Sequence, residues 1–381
     1  MAEGQVMQGN LFEGLDREEI LSYTFEKERE NEEKKDPIES VIPPDDIIAF
    51  NELRSCADIN RLYVKKQLDI NPDFQRGIVW SSKAQTLFVD SLIKQLPIPS
   101  LCISLDVSTQ KRMVIDGLQR ISTIIRFLDE GNDWLLAETD DVDKRISGKK
   151  VSQIKKHNPM LYEILENVTI PITVLRCDYT KKSHMEYLFQ IFHRLNSGGS
   201  KLYNQEIRNC IFQGSFNTLL KKVAKSDLWL NFASTTEKRV DMARFSHEEL
   251  ILRFYTFYNN WNAYDGKLAR FLNDFMNDHK DLTLVEIEEY EKIINRTLIV
   301  INGNIEEKIR FRKNIVDGLL FGVAKNIDYM EKLDSPSINE KYEKFINHEV
   351  FSTEALREGV AQEEKVKERL NVAIGIFSSN G

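Results

Sequence analysis

Residues 113–128, with the sequence MVIDGLQRISTIIRFL, determine how the first half of the chain is interpreted. A short apolar run of the strand type ends at Asp116-Gly117, and a helical pattern begins at once. Its inward-facing positions are Ile121, Ile124, Ile125 and Leu128. Glycine lets the backbone turn sharply, and the first amide groups of a helix attract anions. The stretch therefore predicts a strand, a tight turn and a helix whose start can face an anionic ligand.

The side chains at this junction suit phosphate chemistry. Asp116 could hold a metal ion or orient a water molecule, and Arg120, one helical turn later, could reach a phosphate with a forked pair of donors. Spacing alone leaves a second interpretation open, in which Asp116 simply caps a helix that carries a surface arginine.

Two other segments contain residues of the same chemical kind. Residues 71–80 form a turn that delivers Arg76 and then Trp80 just before a helix start, a pair suited to stacking or phosphate contact. Residues 191–202 read as a helix that ends in an Asn-Ser-Gly-Gly loop. That loop is either a helix C-cap or the lining of a polar pocket.

Patterning along the chain divides it into three parts. Residues 1–45 form a charged arm, because ten of the eleven residues of 26–36 are charged and prolines follow. Residues 46–178 alternate short strand and helix signals, the first of them at 59–64, and include a β-favouring run at 168–175 in which Pro171 suggests an edge or a bulge. Residues 179–381 are mainly helical, with capping-box spacings at Ser183, Ser246 and Thr283. The expected fold class is α+β.

Composition limits the functional classes. The 52 basic and 60 acidic residues give a formal charge of −8, which argues against coating nucleic acid by bulk charge. No apolar stretch approaches the roughly 18 residues of a membrane helix, and the start lacks a secretory pattern, so we expect a cytoplasmic protein without a membrane partner. Four scattered cysteines suggest reduced, buried thiols.

One local basic run remains a candidate for DNA contact. Residues 144–156 contain six basic residues and no acid, among them Lys149, Lys150, Lys155 and Lys156. Such a run could follow a DNA backbone. An ordinary solvated insertion is the alternative, because no aromatic residue is interleaved.

The order of these segments resembles the amino-terminal domain family of GmrSD-type restriction enzymes, a ParB/sulfiredoxin-like group with an Asp-Gly-Gln-Gln-Arg motif between a strand and a helix. The resemblance covers about residues 50–300. It rests on Pro72-x-Phe74-Gln75-Arg76 with Trp80, Leu96-Pro97-Ile98-Pro99, Asp116-Gly117-Leu118-Gln119-Arg120 with Thr123, and Phe192-x-Arg194-Leu195-Asn196-Ser197-Gly198-Gly199-x-x-Leu202 with Glu206 and Arg208. Leu118 departs from the motif, because the family usually has glutamine there.

The resemblance implies a ParB-like nucleotide-binding domain at 46–178 followed by a helical domain. It implies a nucleoside triphosphatase that uses Mg²⁺ and works in antiviral DNA defence. Catalysis would fall to Asp116, Gln119 and Arg120, with Asp116 also the metal ligand. The implied nucleotide contacts are Gln75, Arg76, Trp80, Gly117, Thr123, Asn196, Gly198 and Gly199.

Nuclease activity is expected to come from another polypeptide. After His279 the histidines include no close pair, so the His-Asn-His metal finger that follows this domain in many cutting enzymes is not expected here. The alternative is a non-catalytic subunit, either a DNA-binding module or a nucleotide-sensing scaffold, and Leu118 favours it. The sequence is compatible with a homo-oligomer but does not specify the oligomeric state.

Overall fold

A computed structural model of the protein describes residues 42–70, 80–195, 202–243, 245–305, 309, 311–352, 355 and 361–381. Within these ranges the chain divides into two compact units, one that ends at Leu202 and one that begins at Tyr203. The first unit contains a sheet and helices. The second is helical, so the expected α+β class is confirmed.

The first unit is built on a five-stranded mixed sheet. Its strands are β1 (Ile48–Ser55), β2 (Leu68–Asp69), β3 (Leu101–Asp106), β4 (Arg112–Asp116) and β5 (Thr169–Cys177), in the spatial order β1-β5-β3-β4-β2. The pairs β1–β5 and β3–β4 are antiparallel, whereas β5–β3 and β4–β2 are parallel. β3 is central and all six of its residues are buried.

The described residues of this unit also form six helices: α1 (Cys56–Val64), α2 (Ser82–Ile93), α3 (Leu118–Leu128), α4 (Val151–His157), α5 (Pro159–Asn167) and α6 (Lys182–Leu195). Helices α1 and α2 both pack against α3 and α5, and α6 lies against β4. Serine side chains start the first two helices, since Ser55 accepts a hydrogen bond from the Asp58 amide and Ser81 from the Ala84 amide. The core shared by the sheet and α3 includes Ile103, Val114 and Ile124.

Pro171 was expected to mark an edge strand or a bulge, but its strand β5 lies inside the sheet. β5 lies between β1 and β3, and Pro171 pairs with Leu53 of β1. However, the pairing with β3 begins only at Ile172, opposite Leu101. At Pro171 the strand therefore has one neighbour, and the missing amide hydrogen does not interrupt the ladder with β3. The register irregularity lies in the β3–β4 pair, where Cys102 is opposite Asp116 and Ile103 is opposite Val114, so the extra residue is Ile115 of β4.

The second unit consists of helices from Tyr203 onward. They are α7 (Asn204–Ile211), α8 (Ser215–Ala224), α9 (Asp227–Ala233), α10 (Glu237–Met242), α11 (Ser246–Asn260), α12 (Leu268–Asp278), α13 (Leu284–Asn304), α14 (Lys313–Lys325), α15 (Ile327–Met330), α16 (Ser335–Asn347) and α17 (Glu363–Phe377), with 3₁₀ turns at Trp261–Ala263 and Glu349–Phe351. The apolar stripe of α11 is core, as Leu250, Ile251 and Phe254 are buried. Buried ion pairs join the helices, including Arg253 with Asp317 and Lys313 with Glu249.

All four cysteines are buried, and no disulfide forms among the described residues. Of the helices in those ranges, none combines the length with the apolar character that a membrane crossing requires. The division into units falls after Leu202, so α6 belongs to the sheet unit. The three-part assignment at 1–45, 46–178 and 179–381 stays a prediction, because its arm lies almost wholly outside the described residues.

Candidate functional site

The junction between β4 and α3 has the strand-turn-helix form that the sequence predicts. Asp116 is the last residue of β4, and Gly117 occupies the N-cap position of α3 with φ +92°. A β-carbon at residue 117 would lie 2.2 Å from Leu101 Cδ2, so conformation and space both require glycine. The interpretation of Asp116 as a helix cap is wrong, because the left-handed residue Gly117 starts the helix and no side chain caps it.

Asp116 and Arg120 form an ion pair across this turn. The Arg120 Nη2 donates to Asp116 Oδ2 at 2.9 Å, and the Nη1 donates to the backbone carbonyls of Pro99 and Ser100. The Arg120 side chain is 14% exposed and that of Asp116 is 37% exposed. Arg120 therefore ties the segment that precedes β3 to the carboxylate, while the carboxylate itself remains accessible to solvent.

The second carboxylate oxygen of Asp116 bears on whether the junction could hold a metal ion. Oδ1 of Asp116 accepts no hydrogen bond from the described residues. Among those residues no three His, Cys, Asp or Glu side chains come together as a metal-binding group. One carboxylate oxygen fits Mg²⁺ when phosphate and water supply the remaining ligands, which is the usual arrangement at nucleotide sites.

Cys102 lies beside this carboxylate on the neighbouring strand, where it is the register partner of Asp116. Burial, and secondly the charge of Asp116, raise the pKa of the Cys102 thiol to about 12. The thiol is therefore protonated at neutral pH and is not a nucleophile.

Gln119 connects the start of α3 to Trp80. Its Oε1 accepts a hydrogen bond from the Trp80 amide at 3.4 Å. The Trp80 ring packs edge-on against Phe88, with ring centroids 5.4 Å apart. The helix start is thus linked to Pro99 and Ser100 through Arg120, and to Trp80 through Gln119. Sequence reasoning grouped Trp80 with the site, and its contact with a nucleotide stays a prediction; it missed the two carbonyls that accept from Arg120.

Thr123 and Leu118 face the protein rather than the helix start. The Thr123 hydroxyl donates to the Gln119 carbonyl at 2.7 Å, and the residue is 2% exposed. Leu118 packs against the hydrophobic core at the position where the family usually has glutamine. Because Thr123 is buried and bonded to the Gln119 carbonyl, it can influence the helix start only indirectly, through the backbone of α3.

Five of the predicted nucleotide contacts lie outside the described residues: Gln75, Arg76, Asn196, Gly198 and Gly199. Their proximity to Asp116 stays a prediction. Arg208, part of the same sequence pattern, is buried in the helical unit, where it donates to Asn273 at 2.7 Å and to Gln205 at 3.2 Å. Its hydrogen bonds therefore join helices in the interior of that unit.

The basic run lies at and around α4, and its four predicted DNA contacts are exposed. Lys150 approaches Asp133 at 3.6 Å and Lys155 approaches Glu130 at 3.1 Å. Lys149 and Lys156 form no ion pair within the described ranges. Acidic neighbours therefore offset part of the charge that the sequence shows as an uninterrupted basic run.

One family model matches a continuous stretch of the chain that begins within α1 and ends just after α7. Residues 59–213 match the family model of the GmrSD restriction endonuclease N-terminal domain. The match confirms the resemblance over this stretch, which includes the whole β4–α3 junction. No match was found among curated proteins or solved structures. A GmrSD N-terminal domain indicates a role in a restriction or defence system, in which interaction with DNA is expected.

Proposed function

We propose that this protein binds a nucleoside triphosphate at the β4–α3 junction and hydrolyses it, as a component of a restriction-type defence system that acts with a separate nuclease. The observation that carries the proposal is the ion pair of Asp116 with Arg120 at the start of α3, inside the stretch that matches the GmrSD N-terminal domain.

The start of α3 has the features that phosphate needs. The first hydrogen bond within the helix runs from the Ile121 amide to the Gly117 carbonyl, so the amide groups of the preceding turn point along the axis toward the site. Arg120 places its guanidinium over Gly117, where a β-carbon would lie 3.1 Å from Nη2. Glycine thus admits both the arginine and a close ligand. Positioning and charge neutralisation are the main requirements of phosphoryl transfer.

The residues divide these tasks among them. The Arg120 Nε–H has no partner among the described residues, so it is available to a phosphate oxygen. Asp116 Oδ1 would hold Mg²⁺, which when bound supplies neutralisation of phosphate charge. The side-chain amide of Gln119, the second residue of α3, lies next to the same turn. We propose that it contacts water or the nucleotide.

A second candidate function has support from one observation. Leu118 packs into the core, so this position offers no polar group to phosphate or water. That arrangement favours a nucleotide-sensing or DNA-binding scaffold that binds without turnover and leaves the chemistry to its partner.

The deciding experiment measures phosphate release from each of the four ribonucleoside triphosphates with Mg²⁺, with and without DNA, alongside direct binding by calorimetry. Asp116→Asn should abolish turnover while circular dichroism stays unchanged. Asp141→Asn is the matched control, since Asp141 is an exposed aspartate of the same unit. Binding without turnover in the wild type would establish the sensor, and full turnover in Asp116→Asn would remove Asp116 from the mechanism.

The separate nuclease is tested with the same preparation. The purified chain should leave plasmid DNA intact under conditions that support nucleotide turnover. Cleavage that co-purifies with the chain through a second column, and that disappears in Asp116→Asn, would contradict the need for a partner.

A further inference from the structure

The backbone of Trp80 is held at both of its polar groups by glutamine side chains. Its amide donates to Gln119 Oε1 at 3.4 Å, and its carbonyl accepts from Gln85 Nε2 at 3.1 Å. Gln119 belongs to α3 and Gln85 to α2, and Gln85 is only 3% exposed. The position of Trp80 therefore depends on the orientation of two amide groups.

Arg126 determines the orientation of one of them. Its Nη1 donates to Gln85 Oε1 at 2.7 Å, and its guanidinium lies 4.5 Å from the centroid of the Trp134 ring. A guanidinium can only donate, so the oxygen of the Gln85 amide must face Arg126 and the nitrogen must face the Trp80 carbonyl. Stacking on Trp134 restricts the guanidinium in turn.

Helix α3 thus reaches Trp80 by two routes. Gln119 and Arg126 are seven residues apart, which is two helical turns, so they lie on the same side of α3. Gln119 contacts Trp80 directly, and Arg126 acts through Gln85. Because the Trp80 amide donates to Gln119 Oε1, this arrangement also orients the Gln119 amide, with Nε2 as its donor end.

We propose that Arg126 is a positioning residue for the nucleotide site, which fixes Trp80 through Gln85 and thereby orients Gln119 for an anionic ligand. The inference rests on the proposed function for its ligand, a nucleoside triphosphate. Arg126 itself does not touch the ligand. It acts at a distance by keeping a hydrogen-bonded chain of Arg126, Gln85, Trp80 and Gln119 in one arrangement.

Two substitutions separate positioning from simple packing. Arg126→Met keeps much of the side-chain volume but removes the donor to Gln85. Gln85→Glu keeps Arg126 in place and strengthens its pairing, yet a carboxylate cannot donate to the Trp80 carbonyl. Positioning predicts that both variants impair the site, whereas packing predicts that only Arg126→Met does. Arg61→Met is the control, since Arg61 is an exposed arginine of α1 that pairs with Asp58.

The test combines kinetics with ¹⁹F NMR of protein labelled with 5-fluorotryptophan. Its four tryptophan resonances are assigned with the help of Trp80→Phe. Both variants should shift or broaden the Trp80 resonance without nucleotide and lower kcat/KM by about 10- to 100-fold, while Arg61→Met changes neither. Wild-type kinetics and an unchanged Trp80 resonance in Gln85→Glu would overturn the proposal.

The two proposals fail in different ways. If the wild type binds but does not hydrolyse a triphosphate, the Kd replaces kcat/KM and should rise by the same factor in both variants. If the wild type binds no triphosphate, the proposed function is wrong, and so is the role of Arg126 toward a nucleotide. An unchanged Trp80 resonance in both variants rejects the positioning of Trp80 whatever the wild type binds.

Discussion

Replacing Gly117 by alanine should destabilise the sheet unit, because this residue has no room for a side chain. Its φ of +92° lies in the left-handed region, and a β-carbon would be 2.2 Å from Leu101 Cδ2. Leu101 is fully buried in β3, so its side chain cannot swing into solvent. Either the leucine or the turn must move.

The expected loss follows from two contributions. A side chain in the left-handed conformation costs roughly 1–2 kcal/mol. An extra carbon forced into a packed interior costs about 1–3 kcal/mol. Gly117→Ala should therefore lower the free energy of unfolding by about 2–5 kcal/mol. Nucleotide binding should fall as well, because the displaced turn carries Asp116.

Native-state hydrogen exchange measures this loss in the correct unit, since the amides of β3 and β4 report on the sheet. The control is Gly303→Ala in α13, where nothing lies within 4 Å of an added β-carbon. Alanine in a helix is favoured over glycine, so this control should gain up to about 1 kcal/mol.

A double variant identifies the source of the strain. Leu101→Ala alone should cost about 2–5 kcal/mol, because it empties a buried site. Combined with Gly117→Ala, the sum should be reduced by about 1–3 kcal/mol, since the new methyl group fills part of the space that the leucine leaves. Strict additivity, or a loss below about 0.5 kcal/mol in Gly117→Ala, would refute the reasoning.

Three other predictions concern stability. Arg253→Met should cost about 3–5 kcal/mol in denaturant unfolding of the helical unit, since it leaves the Asp317 carboxylate buried without the guanidinium; Asp317→Leu added to it should recover most of the loss. Hydrogen bonds from Lys181 and His184 lower the pKa of Asp46 from 3.8 to about 2, so its stabilising contribution is complete above pH 4 and is lost as the pH falls to 2; a stability profile of Asp46→Asn should be flatter in that window. Lys341→Met removes three hydrogen bonds to the carbonyls of Ile376, Ser378 and Gly381, in the last turn of α17 and just after it, and should cost about 1–3 kcal/mol, with faster amide exchange in that last turn.

Local sequence signals predicted those helices whose own side chains form hydrogen bonds to the backbone amides of the first turn. The Thr283 capping box starts α13 as expected, with the Glu286 side chain accepting from the Thr283 amide at 2.8 Å. The same spacing at Ser246 does not cap α11, because Phe245 takes a left-handed conformation and Ser246 is already the first helical residue. The pattern predicts that a helix begins nearby, while the neighbouring backbone decides where.

Sheet organisation was harder to predict, because it depends on partners that are distant in sequence. Strand β1 was not identified, since its side chains are largely exposed and do not alternate cleanly. The signal at 59–64 lies in helix α1, where Ile59 and Leu62 face the core one turn apart. Pattern reasoning identifies a buried face more readily than an exposed edge.

At the site, the sequence predicted the turn and the residues near it but not their contacts. The pairing of Arg120 with Asp116 joins residues only four positions apart, across the end of β4 and Gly117. By contrast, its bonds to Pro99 and Ser100 depend on how β3 approaches α3. Likewise, nothing in the sequence links Arg126 to Trp80, because Gln85 comes from a different helix.

The order of strands in the sheet also determines when each strand can find its partner during synthesis. Among the described strands β1 pairs only with β5, and the contact between Asn51 and Thr173 joins residues 122 positions apart. At about 5–20 residues per second, β1 emerges from the ribosome roughly 6–24 s before its partner. Throughout that interval Ile48, Phe50 and Leu53 have no strand to pair with, although β3 and β4 can already form their hairpin. Strand β1 is thus exposed to aggregation, and available to a chaperone, for longer than either strand of the β3–β4 hairpin.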